Sequence, residues 1–230
     1  MARSDPHFTS DLFRFLRELK RHNERYWFQA RRERYVRDVR DPMLRFIADV
    51  ATPLHRISLF VVADPRPVGG SMFRIHRDVR FAKDKAPYKT HAAAHFRHVA
   101  AGDVHAPGFY LHLEPSNVFF GAGIWRPDSD TLLAIRRAID ENAALWRKIT
   151  THRRFRATCR FDGETAARAP SGFDSGHQLI DDIKRKDYTV IADVSESAAL
   201  RSDFLERFVR FCQITASLNE FLARALGLDW

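Results

Sequence analysis

The sequence predicts an α+β fold: an antiparallel sheet with one polar face, flanked by N-terminal helices and a long C-terminal helix. Three observations carry that expectation. The first fifty residues place apolar side chains at helical spacing. The middle of the chain alternates apolar and polar residues with a period of two. The last part returns to helical spacing over one long stretch, so strands lie between helical ends rather than alternating with them.

Taken in order, Phe8, Leu12, Phe15, Leu16 and Leu19 recur at helical intervals behind a Thr9/Ser10 cap. Asn23 is a cap for a second helix carrying Trp27, Tyr35 and Val39. Asp41-Pro42 opens a third, a capping carboxylate followed by proline, and Thr52-Pro53 closes it. "ADPRPVGG" is a loop. Met72 to Arg77 alternates as a strand, with Phe73 and Ile75 to one side and Arg74 and His76 to the other. Residues 90–98 alternate likewise, and "GFYLHLEPSNVFFGAGIW" reads as two strands joined at Pro115-Ser116-Asn117. Asp128 opens a helix that Asp140-Glu141-Asn142 interrupts. "FRATCRFDGE" is a strand with a turn, "DYTVIADV" a strand, and Phe204 to Leu222 a closing helix stopped by Gly227.

A chain of 230 residues, 45% hydrophobic, suits one domain spanning 1–230: a helical part at 1–52, central strands at 71–125, a helix at 128–150, and strands with the closing helix at 151–230. No apolar run approaches the roughly 20 residues that a membrane helix needs, so no membrane association is expected. "MARSDPHFTSD" has no apolar stretch behind its arginine and does not read as a signal peptide. Cys159 and Cys212 lie far apart and read as reduced, buried thiols. A cytoplasmic location is expected. The oligomeric state and any cofactor are left open.

The net charge of +9 favours anionic partners. It is concentrated in "FRIHRDVRFAKDKAPYKTH", residues 73–91, where six cations meet only Asp78 and Asp84. The chain holds 31 Arg and seven Lys, yet Lys83, Lys85 and Lys89 fall within seven positions. Arginine offers a planar fork and lysine a compact charge sensitive to burial.

This run, read as Arg77-Asp78-Val79-Arg80-Phe81 through Asp84-Lys85-Ala86-Pro87-Tyr88-Lys89-Thr90-His91, resembles the central signature of a widespread bacterial family of conserved proteins of unknown function. "HNERYWFQARRERY" is similar to that family's Asn-x-x-x-Trp-Phe segment. "GFYLHLEPSNVFFGAGIWRP" resembles its Tyr-Leu-His-x-Glu-Pro and Gly-x-Gly-x-Trp pieces, and "APSGFDSGH" and "RSDFLERF" its C-terminal markers. Ala92-Ala93 departs from the bulkier or glycine residues usual there. The resemblance implies one intact bacterial domain and lends no activity.

The residues themselves suggest where a site lies. Arg74, Arg77, Arg80, Lys85 and Lys89, with His91, are the expected contacts to a phosphate or carboxylate. The competing reading is a salt-bridged loop that binds nothing. His91 and His95 share a side of one strand. Tyr110, His112 and Glu114 share a side of another. Were those strands neighbours, imidazoles and a carboxylate would converge, but none of the tight zinc spacings is present and no metal is assigned. Tyr88, His112 and Glu114 are the chemistry-bearing candidates if the protein is an enzyme. Gly121 and Gly123 mark a close approach by a ligand, a helix or a bulge.

Residues 14–40 hold ten Arg or Lys against four acids, with Tyr26, Trp27 and Phe28 among them, a pattern that nucleic-acid binders share. No Walker loop, Cys-x-x-Cys pair, Gly-x-Ser-x-Gly elbow or His-Glu-x-x-His helix is present. The expected partner is therefore a phosphate-bearing small molecule. The alternatives are a nucleic acid held by the basic helices and the same run, or a protein partner with charge serving only solubility.

Overall fold

Helix formation at the N-terminus follows the apolar stripe. α1 (Ser10–Arg21) buries Leu12, Phe13, Phe15, Leu16 and Leu19. The structure, a computed structural model, describes residues 5–80, 82–100 and 106–230. The start of the N-terminal segment and Phe81 of the basic run lie outside the described residues.

α2 (Arg25–Gln29) has Glu24 at its N-cap position without a side-chain capping bond, and Asn23, whose side chain is engaged elsewhere, does not cap it. α3 (Arg32–Tyr35) runs through a π turn at Val36–Arg40 straight into α4 (Asp41–His55). α4 thus begins at Asp41 with Pro42 in its first turn, as expected, but the chain is already helical at Arg40, so Asp41 does not act as a cap. The Asp41 N–H reaches back five residues to Val36 O, and the widened ladder accommodates a proline that has no N–H to contribute. Nor does Thr52-Pro53 end α4, which continues to His55. A proline this close to the C-terminus removes one ladder bond and leaves the last turn intact.

Five antiparallel strands form one sheet in the order β1-β2-β3-β5-β4: β1 (Ala92–Arg97), β2 (Gly108–Glu114), β3 (Asn117–Ile124), β4 (Arg160–Asp162) and β5 (Tyr188–Val194). Helices flank it, and the architecture is α+β. Between β3 and β4 lie α5 (Ser129–Glu141), α6 (Ala143–Thr150) and α7 (Arg153–Thr158). Asp128 caps α5 by accepting from the Thr131 N–H at 2.8 Å. α7 takes residues expected to be extended, because Phe155 turns into the core beside Phe161, and the strand after it shrinks to three residues. The short helices α8 (Ile180–Ile183) and α9 (Glu196–Ala199) bracket β5, and α10 (Phe204–Ala225) closes the chain. Gly227, at φ +70°, stops it.

The strand period of two assigns the faces. Ala92, Ala94 and Phe96, with Phe109, Leu111, Leu113, Val118 and Phe120, line one face and are buried. α10 packs there, Phe204, Phe208 and Phe211 each meeting the Phe120 ring with centroids 5.2–5.7 Å apart. The opposite face carries His95, Tyr110, His112, Glu114 and Phe119. Gly123, at φ +114°, lies against Tyr188 O, which a Cβ would meet at 1.9 Å; here the glycine serves a close approach of backbone to backbone.

Met72–Arg77 is not a strand. Its backbone bonds to β1 run only between Ser71 or Phe73 and Ala93–His95, with Phe73 N donating to Ala93 O at 2.9 Å. The chain then leaves the sheet and folds on itself: Arg77 N donates to Pro87 O, and Lys89 N to Ile75 O. Cys159 and Cys212 are free and buried, which pushes Cys159 up to about 11 and Cys212 well up. Among the described residues no helix is long and apolar enough to cross a membrane.

Candidate functional site

The basic run builds a loop before it builds a site. Arg77 donates to Asp84 Oδ2 at 2.5 Å and to Ala86 O at 3.3 Å. Arg80 places its fork on the Asp78 carboxylate at 3.0 and 2.7 Å. These hydrogen bonds hold Asp78 down to about 2 and Asp84 below its ordinary value. Lys85 Nζ donates to the carbonyls of Val79 and Arg80 at 3.0 and 3.4 Å. Three of the cations expected to meet an anion thus brace the loop that carries them.

The end of the loop is anchored from the helical part. Asn23 donates to Tyr88 O at 2.9 Å and accepts from Tyr88 N at 3.0 Å. The Phe28 and Tyr88 rings stack with centroids 4.2 Å apart. Tyr88 is buried, with His76 as its second ring neighbour. It therefore packs between Phe28 and His76 and is not brought to the His91–His112–Glu114 cluster.

From this anchor, Lys89, Thr90 and His91 run onto the polar face. Lys89 is half-buried and lies over the Phe73 ring at 4.9 Å. Burial, and then the neighbouring Arg74 charge, push its pKa down. Among the described residues neither Arg74 nor Lys89 forms an ion pair. Phe73 stacks in turn on His95, 6.3 Å between centroids, and meets Tyr110 edge-on.

The strand register brings the histidines together, which sequence reasoning left open. His112 stands opposite Ala93, and the His91 and His112 rings lie 4.5 Å apart. His112 is 7% exposed and stacked on Phe119. Its Nδ1 shares a 3.0 Å hydrogen bond with the Tyr110 hydroxyl. Its Nε2 is buried and makes no hydrogen bond, facing Glu114 Oε2 at 3.5 Å. Glu114 Oε1 accepts from the Thr90 hydroxyl at 3.0 Å. One donor atom from each of His91, His112 and Glu114 lies within 4.8 Å of the others. His95 stands one rung away against Tyr110 and is outside this cluster.

The electrostatics follow from burial. It pushes His91 down to about 4, aided by the His112 and Lys89 charges, and it pushes His112 down against the pull of Glu114. Burial alone would raise Glu114, but the Thr90 hydroxyl, the facing His112 ring and Asn117 outweigh it and hold the carboxyl below its ordinary value. Tyr110 is raised to about 12 by burial and the Glu114 charge. Near neutral pH the cluster is two neutral imidazoles and a carboxylate, a set able to accept protons or to ligate a cation.

Other expected features serve packing. Gly121 faces Tyr110, whose Cβ a substituent would meet at 3.3 Å, so the ring fills that space. Trp27 and Phe28 of the basic helices are buried. Arg14, Arg17, Arg34, Arg37 and Arg40 pair with acids, Arg34 bridging Glu18 and Asp38. A separate open groove between α5–α7 and α10 mixes Arg137, Arg154 and Arg210 with Glu141 and Glu220, and no buried unpaired polar atom among the described residues lines it.

Fold and site together define an α+β protein whose polar sheet face gathers a His–His–Glu cluster, with Lys89 close to His91. The chain belongs to the DUF2461 family of conserved hypothetical proteins, whose family model matches residues 11–221. Neither the curated proteins nor the solved structures yield a match.

Proposed function

We propose that this protein binds a phosphate-bearing ligand on the polar sheet face, with Arg74 and Lys89 as the cations that meet it. The observation supporting this reading is their placement: Lys89 lies half-buried over the ring of Phe73, the residue before Arg74, and neither cation forms an ion pair among the described residues. Half-burial strengthens the Lys89 charge toward an anion by removing competing water. Arginine supplies a planar fork to the same ligand. Arg77, Arg80 and Lys85, by contrast, hold the loop in shape.

The test is calorimetric titration with pyrophosphate and a panel of nucleotides and sugar phosphates. An Arg74→Ala, Lys89→Ala variant loses binding, and an Arg80→Ala, Lys85→Ala variant retains it within about fivefold. Equal binding by wild type and the first variant overturns the reading. The nucleic-acid alternative is weaker, because Trp27 and Phe28 of the basic helices face inward, leaving only Tyr26 of the three exposed, and many of the helices' arginines are paired.

A further inference from the structure

We propose that His91, His112 and Glu114 form a binding site for a divalent transition-metal ion of the zinc class. This goes beyond anion recognition and stands on separate observations. The first is spacing. A tetrahedral ion with ligand bonds of about 2.0–2.2 Å holds its donors about 3.4 Å apart. His112 Nε2 and Glu114 Oε2 are already 3.5 Å apart. His91 completes the set within 4.8 Å, and being only partly buried it closes the remaining distance by a side-chain rotation.

The second observation is an unsatisfied atom. His112 is 7% exposed, and its Nε2 has no hydrogen bond of normal geometry, only the long 3.5 Å approach to Glu114 Oε2, a weakly satisfied state that costs free energy in the fold. A metal ion at the cluster satisfies that lone pair. The third is the support around the donors. The Tyr110 hydroxyl holds His112 Nδ1, and the Thr90 hydroxyl holds Glu114 Oε1. Each therefore turns the other donor atom, Nε2 or Oε2, toward the common centre. Metal-ligating histidines and carboxylates are oriented by such outer partners.

Three protein donors leave at least one coordination position for an outside ligand, as in catalytic rather than structural zinc sites. His91 and Lys89 are two residues apart on the segment that enters the polar face, where Lys89 lies over the Phe73 ring. An anion occupying the open coordination position would be a ligand to the metal and a partner to Lys89 at once. The set of two imidazoles and one carboxylate also suits iron(II) or cobalt(II), so the metal class is wider than zinc.

The experiment uses the full chain, treated with chelator and then freed of it. Zinc is titrated by calorimetry, and cobalt by its visible d–d absorption. The expected result is one zinc per chain with micromolar or tighter affinity, and cobalt bands typical of four- or five-coordination. His91→Ala and Glu114→Gln each weaken zinc by more than about 100-fold, and Tyr110→Phe by about tenfold, as loss of an orienting partner does. Far-ultraviolet circular dichroism confirms that each variant is folded. Arg74→Ala keeps its zinc affinity, which separates this site from the anion contacts. Two results overturn the proposal: zinc bound no more tightly by wild type than by a His91→Ala, Glu114→Gln variant, or zinc lost equally in Arg74→Ala.

Discussion

Replacing Asn23 by alanine tests how the site is held. Asn23 is the only side chain bonding both the N–H and the C=O of Tyr88 among the described residues. Its removal deletes two hydrogen bonds, each worth about 0.5–1.5 kcal/mol net. It also strands two partly buried backbone groups, each costing about 1–3 kcal/mol if water cannot reach them. The site is half-buried, so water relieves part of that cost, and the expected loss is about 2–3 kcal/mol. The Phe28 stack on Tyr88 remains and keeps the anchor from failing entirely. Urea unfolding reads the global loss. Hydrogen exchange reads the local one, because the amides of Arg77 and Lys89 are bonded across this loop and lose protection with it. Anion affinity falls in the same variant, since Lys89 follows Tyr88 directly. A loss under about 0.5 kcal/mol, with unchanged exchange at Arg77 and Lys89, refutes the view that Asn23 anchors the loop.

Further predictions concern backbone, charge and pH. Gly123→Ala costs at least about 3 kcal/mol in thermal or urea unfolding, because a Cβ meets Tyr188 O at 1.9 Å and φ is +114°. Gly121→Ala, facing only the Tyr110 Cβ at 3.3 Å, costs about 1 kcal/mol; equal losses would contradict the geometry. Arg80→Ala leaves global stability in urea unfolding close to wild type, since its pair with Asp78 is exposed and shapes only the local loop, and a large loss would contradict this. His95 is held down to about 4 by burial and then by the Arg97 charge, so the unfolded chain takes up its proton first. Its contribution is complete above about pH 6.5 and is lost as pH falls toward 4, to a maximum of about 3 kcal/mol. A His95→Gln variant with the same dependence of stability on pH as wild type rules this out.

Helices and strand faces were legible because each depends on a local period. Leu12, Phe15, Leu16 and Leu19 share one side of α1 whatever lies opposite. His112 and Glu114 share a side of β2 for the same reason. What a period cannot show is register. Parity places His91 and His112 on one face of adjacent strands, but the pairing of Ala93 with His112 decides that their rings meet. Asn23 illustrates the same limit. An asparagine before a helix reads as a cap, and nothing nearby signals Tyr88, 65 residues on. The strand expected at Met72–Arg77 failed because alternation marks a chain with two unlike sides, and a loop edge has those as much as a strand does.

The basic run is better understood by what each cation is paired with than by how many there are. Arg77, Arg80 and Lys85 satisfy Asp84, Asp78 and two carbonyls of their own loop, so their charge is spent on shape. Pro87 and Tyr88 fasten the loop to Ile75–Arg77, Asn23 and Phe28. Only then do Lys89, Thr90 and His91 reach the sheet, in consecutive positions, each touching the site differently: a cation over Phe73, a hydroxyl on Glu114, and a ring against His112. A rigid loop is what lets three neighbouring residues of an extended segment address one face, because an unbraced chain would lose that alignment to conformational entropy. The internal salt bridges and the proposed site are therefore not rival readings of the motif, since the pairs at residues 77–85 shape the loop while Asn23 and Phe28, through Tyr88, set where residues 89–91 begin.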